Sequence, residues 1–213
     1  MRDATGSDQA LTAVQRALVT LSAAIASADS ASVEVEAAAA IQAGVSPAAL
    51  YETILQSYLF VGFPRAIEAL FAARPILERA GATPKSAAPF DPRAWERDGE
   101  ALCRSVYGRN YEKLLETMRS LSPDLASWMI LEGYGKTLSR PALGAVEREY
   151  NVLAILTATR MWRQLRSHAI GAVNVGGTRA GIREAIERSA PWAGDEAVAE
   201  GLRVTGFENH ARR

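Results

Sequence analysis

Apolar residues recur along this chain at three- and four-residue spacing and almost never alternate with polar ones, a pattern that predicts helices throughout and an all-α fold. Alanine and leucine abound, and the interruptions are those of helix ends. Ser46-Pro47, Gly62-Phe63-Pro64 and Ser122-Pro123 each set a capping or breaking residue before a proline that suits a first helical turn. Thr178 is the expected N-cap of RAGIREAIERS. Gly81 is read as closing the helix that starts at Pro64, with Pro75 kinking or breaking it. Segment 82–95 (ATPKSAAPFDPRAW) has three prolines and no helical period, so it is read as a linker. Residues 96–121 and 122–133 are read as two amphipathic helices joined by a short turn.

The same pattern occurs twice. Residues 16–70 and 148–202 are two copies of one unit at an offset of 132, and 37–70 lies over 169–202 without a gap, with ten of 34 positions identical. A repeat of that length fixes the organisation before any fold is chosen. Each copy reads as a helical hairpin followed by two shorter helices, and a lone hairpin cannot bury its apolar stripe. The copies should therefore pack on each other as one domain. The expected layout is a frayed 1–9, a first repeat 10–81, the linker 82–95, a second repeat 96–205 carrying the site, and a frayed tail 206–213.

Only the second copy places a histidine and a carboxylate on its apolar stripes. Glu149 is followed by Val152, Leu153 and Leu156, and His168 lies in register with Leu165, Ala172 and Val175. With a hairpin turn at Ala158–Thr159, the two come level across antiparallel helices. An imidazole beside a carboxylate in an apolar setting is the pairing that proton transfer uses, and equally a pairing that a core can hold for architecture alone. The matching positions in the first copy are Ala17 and Glu36, which leans toward function.

Composition narrows the field. Twenty-four basic and 24 acidic residues cancel, so nothing favours a nucleic-acid partner. The longest apolar run, 17–28, is too short to span a bilayer, and MRDATGSDQA lacks an export pattern, so no membrane partner and a cytoplasmic location are expected. The single Cys103 fits a reducing compartment and reads as a small buried hydrophobe. GYGKT (133–137) lacks the first glycine and the preceding strand of a phosphate loop, and reads as a helix stop and turn. Glu34, Glu36 and Glu52 have no histidine companion and are discounted as a metal site. His210 falls in the tail, and Trp95, Trp128, Trp162 and Trp192 are scattered core or interface residues.

The run LSRPAL…REYNVLAIL…QLRSHAIGAVNVGGTRAGIREAI (138–186) resembles the carboxymuconolactone decarboxylase family, whose members carry a similar Arg-Pro-x-Leu, Arg-Glu, Leu-Arg-Ser-His and Gly-Ala-x-Asn-x-Gly. SPAALYETILQSYLFVGFPRAIEAL (46–70) is similar to that family's C-terminal portion, and GEALCRSVYGRNYEKLLETM (99–118) resembles the segment preceding its core. The alkylhydroperoxidase D branch resembles Glu-x11-Cys-x2-Cys-x3-His. In this chain that frame reads Glu149, Met161, Gln164, His168, so both thiols are missing and disulfide exchange is disfavoured.

What the resemblance then implies is the decarboxylase branch: loss of CO2 from a small carboxylated lactone of the 4-carboxymuconolactone type, in aromatic-compound degradation, with no cofactor and no metal. In that scheme His168 is oxyanion partner or proton donor, Glu149 orients it, and Arg148 or Arg166 anchors a substrate carboxylate. Isomerisation or lactone hydrolysis at the same pocket, or a non-catalytic binding role, stays open. Arg160, Met161, Trp162 and Arg163 stand where members have a small turn, and would reshape a pocket mouth. Hexameric single-repeat members imply a homo-oligomer, a trimer of two-repeat chains.

Overall fold

The computed structural model describes residues 10–27, 29–81 and 89–207. No strand occurs among them. The first repeat is α1 (Ala13–Ser27), α2 (Ser30–Gln42) and α3 (Pro47–Arg79). Between the repeats come α4 (Pro92–Tyr107), α5 (Tyr111–Leu121), α6 (Pro123–Trp128) and a π-helical segment, Met129–Leu138. The second repeat is α7 (Ala145–Ala158), α8 (Trp162–Asn174), α9 (Arg179–Glu187), α10 (Ala190–Ala193) and α11 (Asp195–Thr205). No described helix is long and apolar enough to cross a membrane.

The duplication holds at atomic detail. Ser46 caps α3 by accepting the Ala49 N–H, and Thr178, 132 residues on, caps α9 by accepting the Gly181 N–H. Gly62 and Gly194 match again, with φ of 79° and 82°, a backbone setting that side chains with a Cβ rarely adopt. In the second repeat this turn separates α10 from α11, while in the first it kinks α3. Helices α1 and α7, equivalent in the two copies, pack against each other along the approximate two-fold axis. Gln15 donates to Glu147, its own counterpart, at 3.0 Å.

One core joins both halves. Val19 and Ala23 of α1 pack with Val152, Leu153 and Leu156 of α7, Leu165 of α8, and Ile182 and Ile186 of α9. Burying each of the larger side chains is worth roughly 1.5–3 kcal/mol. A second cluster fills the first repeat around Leu18, Leu21, Ile25, Leu50 and Ile54. A third, built on Cys103, Val106, Tyr111 and Tyr134, docks the intervening helices. There α4 and the π-helical segment touch backbone to backbone, because a Cβ on Gly135 would lie 1.9 Å from the Trp95 carbonyl.

Several boundaries differ from the sequence reading. The break in α3 falls at Gly62, whose positive φ makes it, whereas Pro75 stays inside the helix on an exposed face. Of the linker, 82–88 lies outside the described residues, and α4 already starts at Pro92 with Asp91 accepting the Ala94 N–H. The span 96–121 is broken at Gly108, where φ is 52°. GYGKT does not stop a helix but lies within the π-helical segment, pressed against α4. At the tail, Gly206 supplies a left-handed cap and Phe207 is buried, with the Arg179 guanidinium 4.3 Å from its ring centroid. Residues 1–9 and 208–213, His210 included, lie outside the described residues.

Candidate active site

The hairpin of α7 and α8 turns at Thr159–Met161, with Arg160 at φ 57°. That turn brings Glu149 and His168 face to face, and Oε2 of the carboxylate accepts from Nδ1 of the ring at 2.8 Å. Both side chains are buried, at 5% and 7% exposure. A carboxylate on Nδ1 fixes the tautomer and the ring plane, which leaves Nε2 as the nitrogen able to exchange a proton. Phe60, from the first repeat, meets the imidazole edge-on at 5.8 Å between centroids.

The motif GAVNVGG explains how a third helix reaches this pair. A Cβ on Gly171 would sit 2.7 Å from Cγ1 of Val106 and 3.3 Å from Oε2 of Glu149, so only glycine admits both neighbours. Asn174 donates to the Val106 carbonyl at 2.7 Å and pins the end of α4 against α8. The next residue, Tyr107, meets Tyr134 edge-on at 6.3 Å between ring centroids. Burial, above all, holds both phenols above their ordinary range, and the Glu149 charge adds to it. The spacing of GAVNVGG does not reveal this docking, since Val106 and Tyr107 come from a segment outside the repeat.

The two arginines singled out as substrate anchors go elsewhere. Arg148, one residue from Glu149, points the other way into the interface between repeats, where its side chain is 3% exposed. It donates to Glu52 at 3.1 Å, Gln56 at 3.0 Å and the Arg140 carbonyl at 2.8 Å, and Arg140 itself donates to Glu52 at 2.9 Å. Those bonds hold the Arg148 guanidinium against Glu52 and Gln56 of the first repeat, not against His168. Arg166 is exposed and lines a separate cleft with Trp162, Arg163 and Arg203. The structure therefore brings together His168 and Glu149 and leaves both arginines apart from them.

Cys103 is buried, as its reading as a small hydrophobe requires, and it feels the charge of Glu149. It shares a cluster with Val106 and Tyr134, and burial, then the Glu149 charge, push its thiol up to about 12. A thiol held there is not a nucleophile at neutral pH. Met161 and Gln164, in the frame of the redox branch, sit exposed at the hairpin tip.

Between α8 and residues 106–117 opens a cleft of about 310 Å³. Its walls are Ser167 and Ile170 of α8 on one side and Val106, Tyr107, Asn110, Lys113, Leu114 and Thr117 on the other. Sequence analysis singled out segment 99–118, which supplies this second wall, but gave none of its residues a role at the site; they face α8 because Asn174 and Gly171 dock α4 there.

Comparison with known proteins agrees with this architecture. The model of the carboxymuconolactone decarboxylase family matches residues 1–75 and 123–206. Segment 99–118 therefore falls outside the matched stretches, although it was read above as resembling family members. The chain is 30% identical to Peroxisomal protein 2 of Schizosaccharomyces pombe over 143 residues, 64% of each chain. It is 32% identical to a nitrosuccinic acid decarboxylase of Metarhizium robertsii over 72 residues, 34% of this chain and 50% of the relative. The chain thus spans between half and two thirds of the length of these two relatives.

Proposed function

The chain belongs to the carboxymuconolactone decarboxylase family, and on that premise we propose that it removes CO2 from a small carboxylic acid whose own structure accepts the electrons. The observation that carries this reading is the buried hydrogen bond of 2.8 Å between His168 Nδ1 and Glu149 Oε2.

Two acids define the class. In 4-carboxymuconolactone the sink is the lactone carbonyl with its ring double bond. In nitrosuccinic acid, the compound named for the Metarhizium relative, it is the nitro group beside one carboxylate. In either case the electrons of the breaking C–C bond move into the sink, CO2 departs, and a proton is delivered to carbon. No organic cofactor is needed for such a substrate. His168 Nε2 delivers the proton or binds the oxygen on which charge grows, while Glu149 keeps the ring oriented. Burial keeps water from competing for the developing charge.

Turnover of both acids, followed as CO2 release beside a His168→Ala control, is the test. The expected result is release of CO2 from at least one of them, with a fall of about 10²–10⁴-fold in the variant. Equal rates in the two proteins would remove His168 from the mechanism.

We also propose self-association, with a trimer as the expected state. Phe63, Ile67 and Phe71 form an exposed stripe on α3 at 61%, 45% and 64% exposure, and support this reading. Sedimentation equilibrium of the intact chain tests it, and a monomer at micromolar concentration would refute it.

A further inference from the structure

We propose that the cleft between α8 and residues 106–117 is the site that recognises the substrate's carboxylate, with Lys113 as its cationic anchor and Asn110 as a neighbouring donor. The proposal rests on the decarboxylase reading only for what happens to the acid once bound.

Three observations lead to it. First, the arginines are elsewhere: Arg148 is sequestered by Glu52 and Gln56, and Arg166 lines a different cleft. Second, among the described residues Lys113 is the one charged residue lining this cleft, and no carboxylate lines it. The other polar groups there are hydroxyls and one amide; the Thr117 hydroxyl donates to the Lys113 carbonyl at 2.8 Å, Asn110 brings an amide donor, and Leu114 and Ile170 offer apolar contact to a short carbon skeleton. An anion of small size with an apolar body fits that lining, and a cation or a large polyanion does not. Third, the cleft and the buried pair share a neighbour: Val106 lines the cleft, and its Cγ1 and Glu149 Oε2 lie 2.7 and 3.3 Å from the point that a Cβ on Gly171 would occupy.

The wall that carries Lys113 lies wholly within 76–122, the stretch outside the family match. Proton chemistry would then come from the shared repeat, and substrate choice from the segment between the repeats. A volume of about 310 Å³ stands at the small end of ligand sites, consistent with an acid of few carbons.

Succinate, an unreactive dicarboxylate, is the probe. It is titrated into the intact protein and followed by amide chemical shifts, with Lys113→Ala, Lys113→Arg and Arg166→Ala in parallel and circular dichroism checking that each folds. The expected result is saturable binding with shifts around Asn110, Thr117 and Ser167. Affinity should weaken about tenfold or more in Lys113→Ala, recover in Lys113→Arg, and stay unchanged in Arg166→Ala. Absence of succinate binding, equal affinity in Lys113→Ala, or loss in Arg166→Ala would each overturn the assignment. Binding without turnover of either acid would remove the decarboxylase reading and leave the Lys113 site standing. Turnover with an unchanged KM in Lys113→Ala would do the reverse.

Discussion

Arg148 of the second repeat and Glu52 of the first form a buried ion pair at 3.1 Å, and the same pair recurs with the repeats exchanged, Arg16 donating to Glu184 at 2.5 Å. Positions 16 and 148, like 52 and 184, are separated by the repeat offset. Two copies related by an approximate two-fold must make each contact twice, as a symmetric dimer does. The copies have since diverged. The Arg148–Glu52 pair is enclosed and joined by Arg140, whereas Arg16 keeps 38% of its side chain exposed.

Truncating Arg148 should therefore cost far more than truncating Arg16. Removing one partner of an enclosed pair leaves an uncompensated charge, typically costing about 3–5 kcal/mol. Because Arg140 still faces Glu52, the low end of that range is expected for Arg148→Ala, and a markedly smaller loss for Arg16→Ala. Urea unfolding of the three proteins measures both. Similar midpoints for the two variants would refute the asymmetry.

Glu149→Gln separates orientation from charge at the site. The amide oxygen still accepts from Nδ1, so the ring keeps its place while the negative charge is lost. A fall of about 10²-fold in turnover is expected, with a near-normal melting temperature and unchanged imidazole tautomer by nitrogen chemical shift. Full activity would reduce Glu149 to a structural partner.

Gly171→Ala should damage the site from behind. The new methyl would stand 2.7 Å from Val106 and 3.3 Å from the Glu149 carboxylate, so one of them must move. Overpacking of this kind costs about 1–3 kcal/mol. Loss of turnover beyond the loss of stability, read from activity at a temperature where the variant remains folded, would place the displacement on Glu149.

The pairing of Glu149 with His168 was legible because both lie on apolar stripes equidistant from one turn, and helical period alone brings them level. The duplication was equally legible, down to Gly62 and Gly194. Arg148 misled because sequence gives its neighbour but not its direction: one residue along α7 rotates a side chain by ~100°, from His168 toward Glu52. Lys113 and Asn110 were invisible because their cleft is made by docking α4 on α8 through Asn174, a contact spanning 68 residues. The end of α4 depended on Gly108, and the π-helical segment on its close approach to α4. Neither leaves a periodic signal.

Cys103 should be inert while the chain is folded. With its thiol pushed up to about 12 and fully enclosed, it is protonated and unreachable at pH 8. Iodoacetamide is expected to label it only after unfolding in guanidinium, and Cys103→Ser should keep full turnover. Rapid labelling of the native protein would contradict the burial, and turnover that needs the thiol would revive the redox reading.

Acid should act on the exchanged pair at Glu184. Burial opposes ionisation of this carboxyl, yet hydrogen bonds from Arg16 and the Leu11 N–H outweigh it and hold the group below its ordinary 4.5. A carboxyl depressed by folding contributes stability that is present above the unfolded value of 4.5 and fades as pH falls through the lower folded value. Glu184→Gln removes that contribution. The variant should be less stable than the parent at pH 7, with the gap steady down to about pH 5 and shrinking toward nothing below the folded value. Chemical denaturation at pH 7, 5, 4 and 3 follows it. A gap that widened on acidification would mean that Glu184 is more easily protonated in the folded chain, and that Arg16 does not hold its charge.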